Sequence, residues 1–256
     1  MITLKTQEEI EMMAEGGRRL AEVLRALEKE TEVGVTTKQL DRIAYQMIHK
    51  LGAKPAFLRY RPAGAARSYP YTLCASLNET VVHGQPSDRA LVAGDVLKLD
   101  LGLIYKGYNL DAALTVAVGP ADAIPREIKK LIVATREALL AGIGEARLGN
   151  TIGDIGAAIA AVAKKNKVGV AEGLVGHGIG RALHEDPTVF NFGKRGEGEV
   201  LEAGMTLAIE PMFVAGAGAT TTRKDDSYIT RDGSTAAHFE HTVAITLRGP
   251  RILTSG

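Results

Sequence analysis

Hydrophobic residues recur at helical spacing in four segments of the chain. The first segment follows Thr6, which opens a capping-box pattern, and its apolar face includes Gly17. The second follows Thr36, which opens another capping box, and the fourth follows Thr151. The third begins near Pro125, which we expect to be its first helical residue. Between and after these helix pairs the pattern favours strands, so the predicted order is two helices, strands, two helices, strands.

A β-hairpin is predicted where two apolar, β-branched runs flank a Lys-Gly dipeptide. The runs cover residues 96–104 and 108–118, and the dipeptide is typical of a two-residue hairpin turn. Such a turn places Asp100 and Asp111 on the same face of the hairpin, one diagonal step and roughly 5–8 Å apart. Both carboxylates could instead point to water on an open face of the sheet, and the hairpin alone does not decide between these readings.

Two short sequence motifs of the first half recur in the second half. The Gly-x-Thr motif before the second helix recurs before the fourth, and a segment ending at Asp100 is repeated 110 residues later by one ending at Glu210. Self-similarity at a fixed offset indicates a duplicated architecture. We therefore expect a single α+β domain made of two pseudo-symmetric halves, about 1–120 and 121–256, with acids of both halves near the pseudo-axis.

Two further acids lie in apolar strand patterns. Glu210 follows the apolar run 205–209, and Glu240 lies within the strand pattern 238–245. A lone carboxylate is rarely buried without a partner, so these acids argue against the open-face alternative for the two aspartates. Four buried carboxylates carry a charge that two divalent cations would balance.

The histidines supply the candidate nitrogen ligands. His83 lies at a predicted strand end, and His177 and His184 lie seven residues apart in the Gly-rich segment 176–187, which we expect to be a loop. This spacing excludes a zinc site on a single helix face. For any one of these histidines a purely structural role is the alternative.

In combination, five motifs in this order resemble the type I methionine aminopeptidases of the pita-bread fold, over nearly the whole chain. They are Asn78-Glu79-x-x-x-His83-Gly84, Asp100 with Asp111, Gly176-His177-Gly-Ile-Gly-Arg-x-x-His184-Glu185-x-Pro187, Ile209-Glu210-Pro211 and Glu240-His241-Thr242. The resemblance implies a pseudo-two-fold α+β fold, with an antiparallel sheet and two helix pairs packed on one face. It implies removal of the N-terminal methionine from nascent proteins and peptides, with a small second residue preferred.

The resemblance also implies a dinuclear metal site with the ligands Asp100, Asp111, His177, Glu210 and Glu240, of which Asp111 and Glu240 bridge both ions. Oxygen ligands with one imidazole favour Mn²⁺, Fe²⁺ or Co²⁺, and Zn²⁺ or Ni²⁺ can serve in vitro. The resemblance further implies that a hydroxide bridging the ions would attack the scissile carbonyl. The implied catalytic residues are His184 as donor to the oxyanion, His83 as a substrate-orienting group and Glu210 as a proton shuttle.

A hydrophobic pocket for the methionine side chain is implied as well. Its residues are those that match pocket positions of the family: Phe57, Tyr60, Tyr69, Cys74 and Leu183. Leu183 stands where an aromatic residue is usual, and residues 61–68 form an insertion. We therefore expect looser selection for methionine.

Charge and cysteine content narrow the setting. The 31 basic and 30 acidic residues leave a formal charge of +1, which predicts neither DNA nor anionic membrane as a partner. A single cysteine and the absence of a signal-peptide pattern favour the cytoplasm. We expect a monomer that acts on peptide and protein N-termini, and the resemblance alone adds the ribosome as a place of work.

Three competing interpretations remain at this point. An Xaa-Pro aminopeptidase or dipeptidase would share the fold, but such proteins usually carry a large N-terminal domain for which this sequence has no counterpart. A non-catalytic binding module of the same fold should have lost ligands, whereas all five are present. A duplicated domain with surface acids does not explain acids inside apolar strands.

Overall fold

The computed structural model describes residues 2–61 and 67–255. Its α-helices are α1 (Gln7–Glu30), α2 (Thr37–Lys50), α3 (Arg126–Glu145) and α4 (Ile152–Asn166), and a short 3₁₀ helix covers Ala121–Ala123. The capping boxes predicted at Thr6 and Thr36 are confirmed, and Thr151 precedes α4 as expected. Pro125 was wrongly placed inside α3, because its ψ of 146° is extended and makes it the residue before the helix.

The strands form one large sheet and two small ones among the described residues. They are β1 (Lys54–Pro55), β2 (Leu73–Leu77), β3 (Thr80–Val82), β4 (Val96–Tyr105), β5 (Tyr108–Ala117), β6 (Gly169–Val170), β7 (Gly176–Gly178), β8 (Glu185–Val189), β9 (Thr206–Ile209), β10 (Met212–Val214), β11 (Thr220–Thr222), β12 (Tyr228–Thr230), β13 (Ala236–His238), β14 (Glu240–Thr246) and β15 (Gly249–Ile252). The large sheet has the order β1-β4-β5-β14-β9-β7-β8, with β2 beside β4 and β15 beside β14. The small sheets are β13-β10-β6 and β11-β12-β3.

The predicted hairpin register between β4 and β5 is confirmed. Tyr105 pairs with Tyr108 and Gly102 with Asp111. The two turn residues both have positive φ, 49° at Lys106 and 84° at Gly107, which is the type I′ geometry that suits the twist of paired strands. This turn fixes which face of the hairpin carries Asp111.

The two helix pairs pack on the sheet through separate apolar cores. One core joins α1 and α2 to β4 and β5, and the other joins α3 and α4 to β9 and β14. The predicted α+β class, with an antiparallel sheet and two helix pairs, is confirmed. No helix in the described part of the chain is long and apolar enough to cross a membrane.

In the large sheet, the strands of the two sequence halves meet at the pairing of β5 with β14, where Ala113 lies opposite Glu240. Equivalent bridges occur on both sides of this seam. Thr36 pairs with Ala90 in the first half, and Thr151 pairs with Val200 in the second. These correspondences support the division into two pseudo-symmetric halves, which stays a prediction.

The segment 55–70 contains the insertion 61–68. In its described part only Pro55, the last residue of β1, belongs to a strand. Residues 62–66 of the insertion lie outside the described residues.

A glycine on the buried face of α1 permits close packing against the C-terminal segment. A Cβ atom on Gly17 would overlap the carbonyl oxygen of Leu253, which is backbone and cannot rotate away. We expect Gly17→Ala to lower the free energy of unfolding by about 1–3 kcal/mol, the usual effect of overpacking. Chemical denaturation of the purified protein measures this difference.

Gly144 provides the matched control, because it is also helical and has open space around its Cβ position. Gly144→Ala should leave stability unchanged or raise it by up to about 1 kcal/mol through helix propensity. Equal stability of the two variants would contradict the close approach of α1 to Leu253.

Candidate metal centre

Strand pairing gathers the four predicted acids at one place. Asp100 lies in β4 and Asp111 in the neighbouring β5, while Glu240 begins β14 and Glu210 directly follows β9. Ala113 of β5 lies opposite Asp100 on one side and opposite Glu240 on the other. The hairpin and the seam between the halves therefore deliver carboxylates from four strands to the same region.

A threonine hydroxyl fixes the backbone of one acid across this seam. Thr242 of β14 accepts a hydrogen bond from the Asp111 amide at 3.0 Å and donates one to the Asp111 carbonyl at 2.8 Å. With both backbone groups held, the position of the Asp111 side chain relative to β14 is set by main-chain geometry.

The electrostatics of the acids are those of buried like charges. Loss of hydration raises the pKa of Asp100 to about 7, and the neighbouring Glu210 adds to the increase while His238 opposes it. Burial and the other acids also raise the pKa values of Asp111 and Glu240 well above the usual range, and burial does the same for Glu210. Such carboxyls must be protonated or must neighbour a cation.

Several of these polar atoms have no partner within the described part of the protein. The buried Asp111 Oδ1 and Glu240 Oε1 make no hydrogen bond. A buried acceptor without a partner is costly, and a divalent cation would satisfy both oxygens at once. The site therefore fits metal ions on its own chemistry.

His177 presents one ring nitrogen to the acids. Its Nδ1 lies 2.8 Å from the Gly178 carbonyl, which can only accept, so Nδ1 carries the proton and Nε2 keeps its lone pair. Nε2 lies 3.6 Å from Glu210 Oε1. Burial, and secondly the His184 ring, lower the pKa of His177 to about 3. The prediction of a loop here was wrong for His177. This residue lies inside β7, where it pairs with Ala208 of β9.

A second imidazole, that of His238, reaches the acids from the small sheet. The strand predicted through Glu240 is interrupted at Phe239, and His238 ends β13. Its Nε2 lies 3.5 Å from Glu210 Oε2 and 3.9 Å from Glu240 Oε2. Burial lowers the pKa of His238 to about 4, although the charge of Asp100 acts in the opposite direction.

The donor atoms fall into two groups that could each hold an ion. One group is Asp111, His177 and Glu240, and the other is Glu210, His238 and Glu240, with ligand atoms within 4.8 Å of one another. Glu240 belongs to both groups, and Asp100 belongs to neither. The ligand roles of the five predicted residues stay predictions, and His238 is an addition to them.

The two histidines expected to contact substrate lie apart from the acids' strands. The His184 ring is 4.4 Å from that of His177, and its Nδ1 is 2.7 Å from the Tyr60 hydroxyl. His83 follows β3 with a φ of 59°, and its ring stands 5.7 Å from that of Tyr228. Tyr228 was not predicted from the sequence.

All five predicted pocket residues lie in one apolar cluster, which we call the apolar pocket cluster. It consists of Ala56, Phe57, Cys74, Ile179 and Leu183, with Tyr60, Tyr69 and Ile104 packed against it. Cys74 is the strand partner of Asp100, so this cluster adjoins the carboxylates. The Tyr69 hydroxyl lies 2.9 Å from the carbonyl oxygens of both Leu73 and Gly84, which fixes the ring beside β2.

A buried lysine near the acids was also missed. Lys98 is fully buried in β4, and its Nζ donates to the Asn78 carbonyl at 2.7 Å. Burial lowers its pKa to about 7. The sequence could have predicted this position, because a lysine two residues before Asp100 in an apolar strand lies on the same face of the sheet as Asp100.

Comparison with known proteins agrees with this geometry. The model of metallopeptidase family M24 matches residues 11–247. The methionine aminopeptidase of Clostridium acetobutylicum is 44% identical over 256 residues, 99% of each chain. The crystal structure of the methionine aminopeptidase from Thermotoga maritima superposes with a TM-score of 0.93 at 39% identity, covering 100% of both chains.

A more distant structural neighbour shares the fold at low sequence identity. The prolidase from Pyrococcus furiosus has a TM-score of 0.77 at 23% identity, and the match covers 99% of this chain but 65% of that one. At this identity the likeness concerns the fold alone, and it agrees with the expected pita-bread architecture. The chain therefore belongs to metallopeptidase family M24, where it groups with the type I methionine aminopeptidases.

Proposed function

We propose that this protein removes the N-terminal methionine from peptides and nascent proteins with a small second residue. The observation that carries the proposal is a set of buried, partly unpartnered carboxylates beside an apolar pocket cluster. The 44% identity to a methionine aminopeptidase over 256 residues supports the same reaction. We further propose that it works as a cytoplasmic monomer.

The proposed ligands of two divalent ions are Asp100, Asp111, His177, Glu210 and Glu240. Carboxylate and imidazole donors suit Mn²⁺, Fe²⁺ or Co²⁺, whereas thiolates are preferred by other metals. Cys74, the sole thiol, is buried in the apolar pocket cluster, and burial raises its pKa well above the usual value. Ions held by these residues would lower the pKa of a bound water and so supply a nucleophile at neutral pH.

The neighbouring histidines are prepared for different tasks by their hydrogen-bond partners. The Gly178 carbonyl leaves His177 with a free lone pair at Nε2, as a ligand requires. We propose that the Tyr60 hydroxyl donates to Nδ1 of His184. Nε2 of His184 then carries the proton and can donate a hydrogen bond to the oxyanion that develops on the scissile carbonyl.

In this proposal His83 orients the substrate and Glu210 transfers a proton. His83 is exposed beside Tyr228, where it can orient the substrate near the scissile amide. Glu210 is held in place by the hydrogen bond from the Asn191 side chain to its carbonyl, at 3.1 Å. Burial raises the pKa of its carboxyl, and we propose that this carboxyl takes up and releases a proton during turnover.

The Xaa-Pro alternative has weaker support. The match to the prolidase is at 23% identity and leaves about a third of that chain uncovered. The apolar pocket cluster suits a flexible thioether, because sulfur makes favourable contacts with aromatic rings such as those of Phe57 and Tyr69.

The first prediction from this proposed function concerns metal dependence and its pH profile. Chelation should abolish cleavage of Met-Ala-Ser, and Mn²⁺, Co²⁺ or Fe²⁺ should restore it. Carboxyls with raised pKa values must lose protons before they bind an ion, so Mn²⁺ affinity should increase from about pH 6 to about pH 8. Burial raises the pKa of Asp100 to about 7, so this carboxyl loses its proton within the window.

Titration calorimetry in buffers of different ionisation enthalpy counts the protons released on binding. Affinity that does not vary with pH, or full activity of the metal-free enzyme, would contradict the prediction.

The second prediction separates the roles of the two neighbouring histidines. His177→Ala should reduce bound metal, whereas His184→Ala should leave metal content unchanged and lower kcat by about 10²–10³, the usual effect of losing an oxyanion donor. Tyr60→Phe should lower kcat by a smaller factor with full metal content, because it removes only the group that orients His184. Metal analysis and steady-state kinetics measure both quantities, and equal metal loss in the two alanine variants would reverse the assignment.

The third prediction concerns selectivity. Because Leu183 replaces a rigid aromatic side chain in the apolar pocket cluster, norleucine and leucine peptides should be cleaved, at rates about 10–200-fold below methionine. A peptide panel X-Ala-Ser and Met-X-Ser, assayed with Mn²⁺, gives the ratios. Cleavage of every peptide with proline in second position, whatever its first residue, would replace this proposal with the Xaa-Pro alternative.

A further inference from the structure

The backbone of His238 is held rigidly beside the acids. Thr115 of β5 accepts a hydrogen bond from the His238 amide at 2.9 Å and donates one to the His238 carbonyl at 2.7 Å. Thr242 holds the backbone of Asp111 in the same two-bond manner. The direction of the His238 side chain is therefore set by the strand β5, which also carries Asp111.

The imidazole of His238 is buried without any hydrogen bond. It is 1% exposed, and neither Nδ1 nor Nε2 has a partner among residues 2–61 and 67–255. Burying a polar ring without partners is unfavourable, so the position requires an explanation other than packing.

Distances around the ring indicate what it faces. Nε2 stands 3.5 Å from Glu210 Oε2 and 3.9 Å from Glu240 Oε2, which is too long for good hydrogen bonds. Donor atoms that share an ion lie about 2 Å from it, and hence about 3–4 Å from one another. The spacing suits three ligands arranged around one cation better than a hydrogen-bonded pair.

Glu210 has an imidazole at each of its oxygens. Oε1 lies 3.6 Å from His177 Nε2, and Oε2 lies 3.5 Å from His238 Nε2. Each of the two donor groups thus contains one imidazole together with the shared Glu240. A neutral imidazole also adds a ligand without disturbing the balance between the carboxylates and two divalent ions.

On the basis of the metal-dependent function above, we propose that His238 is a further metal ligand, through Nε2. The donor set of the dinuclear site is then four carboxylates and two imidazoles. A second nitrogen donor makes the site more favourable for Co²⁺ and Zn²⁺ relative to Mn²⁺, because imidazole suits the former ions and carboxylate suits the latter.

The test counts imidazoles directly. X-ray absorption of the full chain loaded with two Co²⁺ ions should show two imidazoles per pair of ions, and one in His238→Gln and in His177→Gln. Calorimetry should show that His238→Gln weakens Co²⁺ binding at one of the two sites. The loss of affinity should exceed the about 10–100-fold that is typical when a ligand loses only its hydrogen-bond partner. The loss for Mn²⁺ should be smaller.

His241→Gln is the matched control. His241 is on the other side of β14, with Nδ1 2.9 Å from the Thr254 hydroxyl, so this variant should keep two imidazoles and full affinity. Thermal unfolding of metal-free His238→Gln establishes whether the variant is folded. If it folds poorly, the imidazole count of the wild type alone decides the proposal.

The outcomes are distinguishable. One imidazole per pair of ions in the wild type overturns the ligand role of His238, as does a falling affinity in His238→Gln with an unchanged imidazole count, which would indicate a hydrogen bond to Glu210. Both leave the proposed function intact. Failure of the wild type to bind metal or to cleave methionine peptides would instead overturn the proposed function.

Discussion

Repulsion and lost hydration among four carboxylates, three of them buried and Glu210 partly buried, is the constraint on which the site depends. Each acid alone would be unfavourable in an apolar sheet, and together they raise one another's pKa values. The fold holds them in place through features that do not depend on the charges. The strand ladder positions Asp100 and Glu240 opposite the same alanine, and Thr242 holds the backbone of Asp111. Because the carboxylates are held close together, their mutual repulsion favours the binding of cations.

His177, His184 and His238 differ in the partner of each ring. His177 donates to a carbonyl, His184 meets a hydroxyl, and His238 has no hydrogen-bond partner in the described part of the protein. A carbonyl partner forces one tautomer, whereas a hydroxyl can either donate or accept. Chemically identical side chains are thus suited to different tasks by what surrounds them.

The pairing of β2 with β4 connects selectivity to chemistry. Cys74 and Asp100 are direct neighbours across this pair, so the apolar pocket cluster and the carboxylates share a rigid framework. A ligand side chain held in that cluster would have its attached backbone beside the acids. Since rigid elements hold reacting groups more accurately than loops do, placing both functions on one strand pair favours a fixed distance between them.

Much of this arrangement follows from local sequence. Thr6 and Thr36 begin helices because their hydroxyls cap free amide groups, and the hairpin register follows from a two-residue turn that accepts positive φ. Alternation in β4 and β5 then fixes the face of Asp100 and Asp111. These are short-range effects, and the sequence predicts them without reference to the rest of the chain. Strand patterns also pointed to Glu210 and Glu240, and the motifs that resemble the type I methionine aminopeptidases added the expected roles of these acids and of His83 and His184.

The tertiary structure decided what depends on contacts between distant segments. The sequence placed His177 in a loop, but pairing with Ala208 of β9 makes it part of a strand. Tyr60 was expected only as a pocket wall, yet its hydroxyl meets a ring 124 residues away. His238 and Glu240 lie on opposite sides of a break at Phe239, and the hydroxyl of Thr115 directs His238 back to the same acids. The sequence by itself determined which residue types occupy each strand and which face they share. Only the packing of strands from both halves decided which nitrogen and oxygen atoms meet, because side-chain partners across a sheet are set by neighbours that periodicity does not specify.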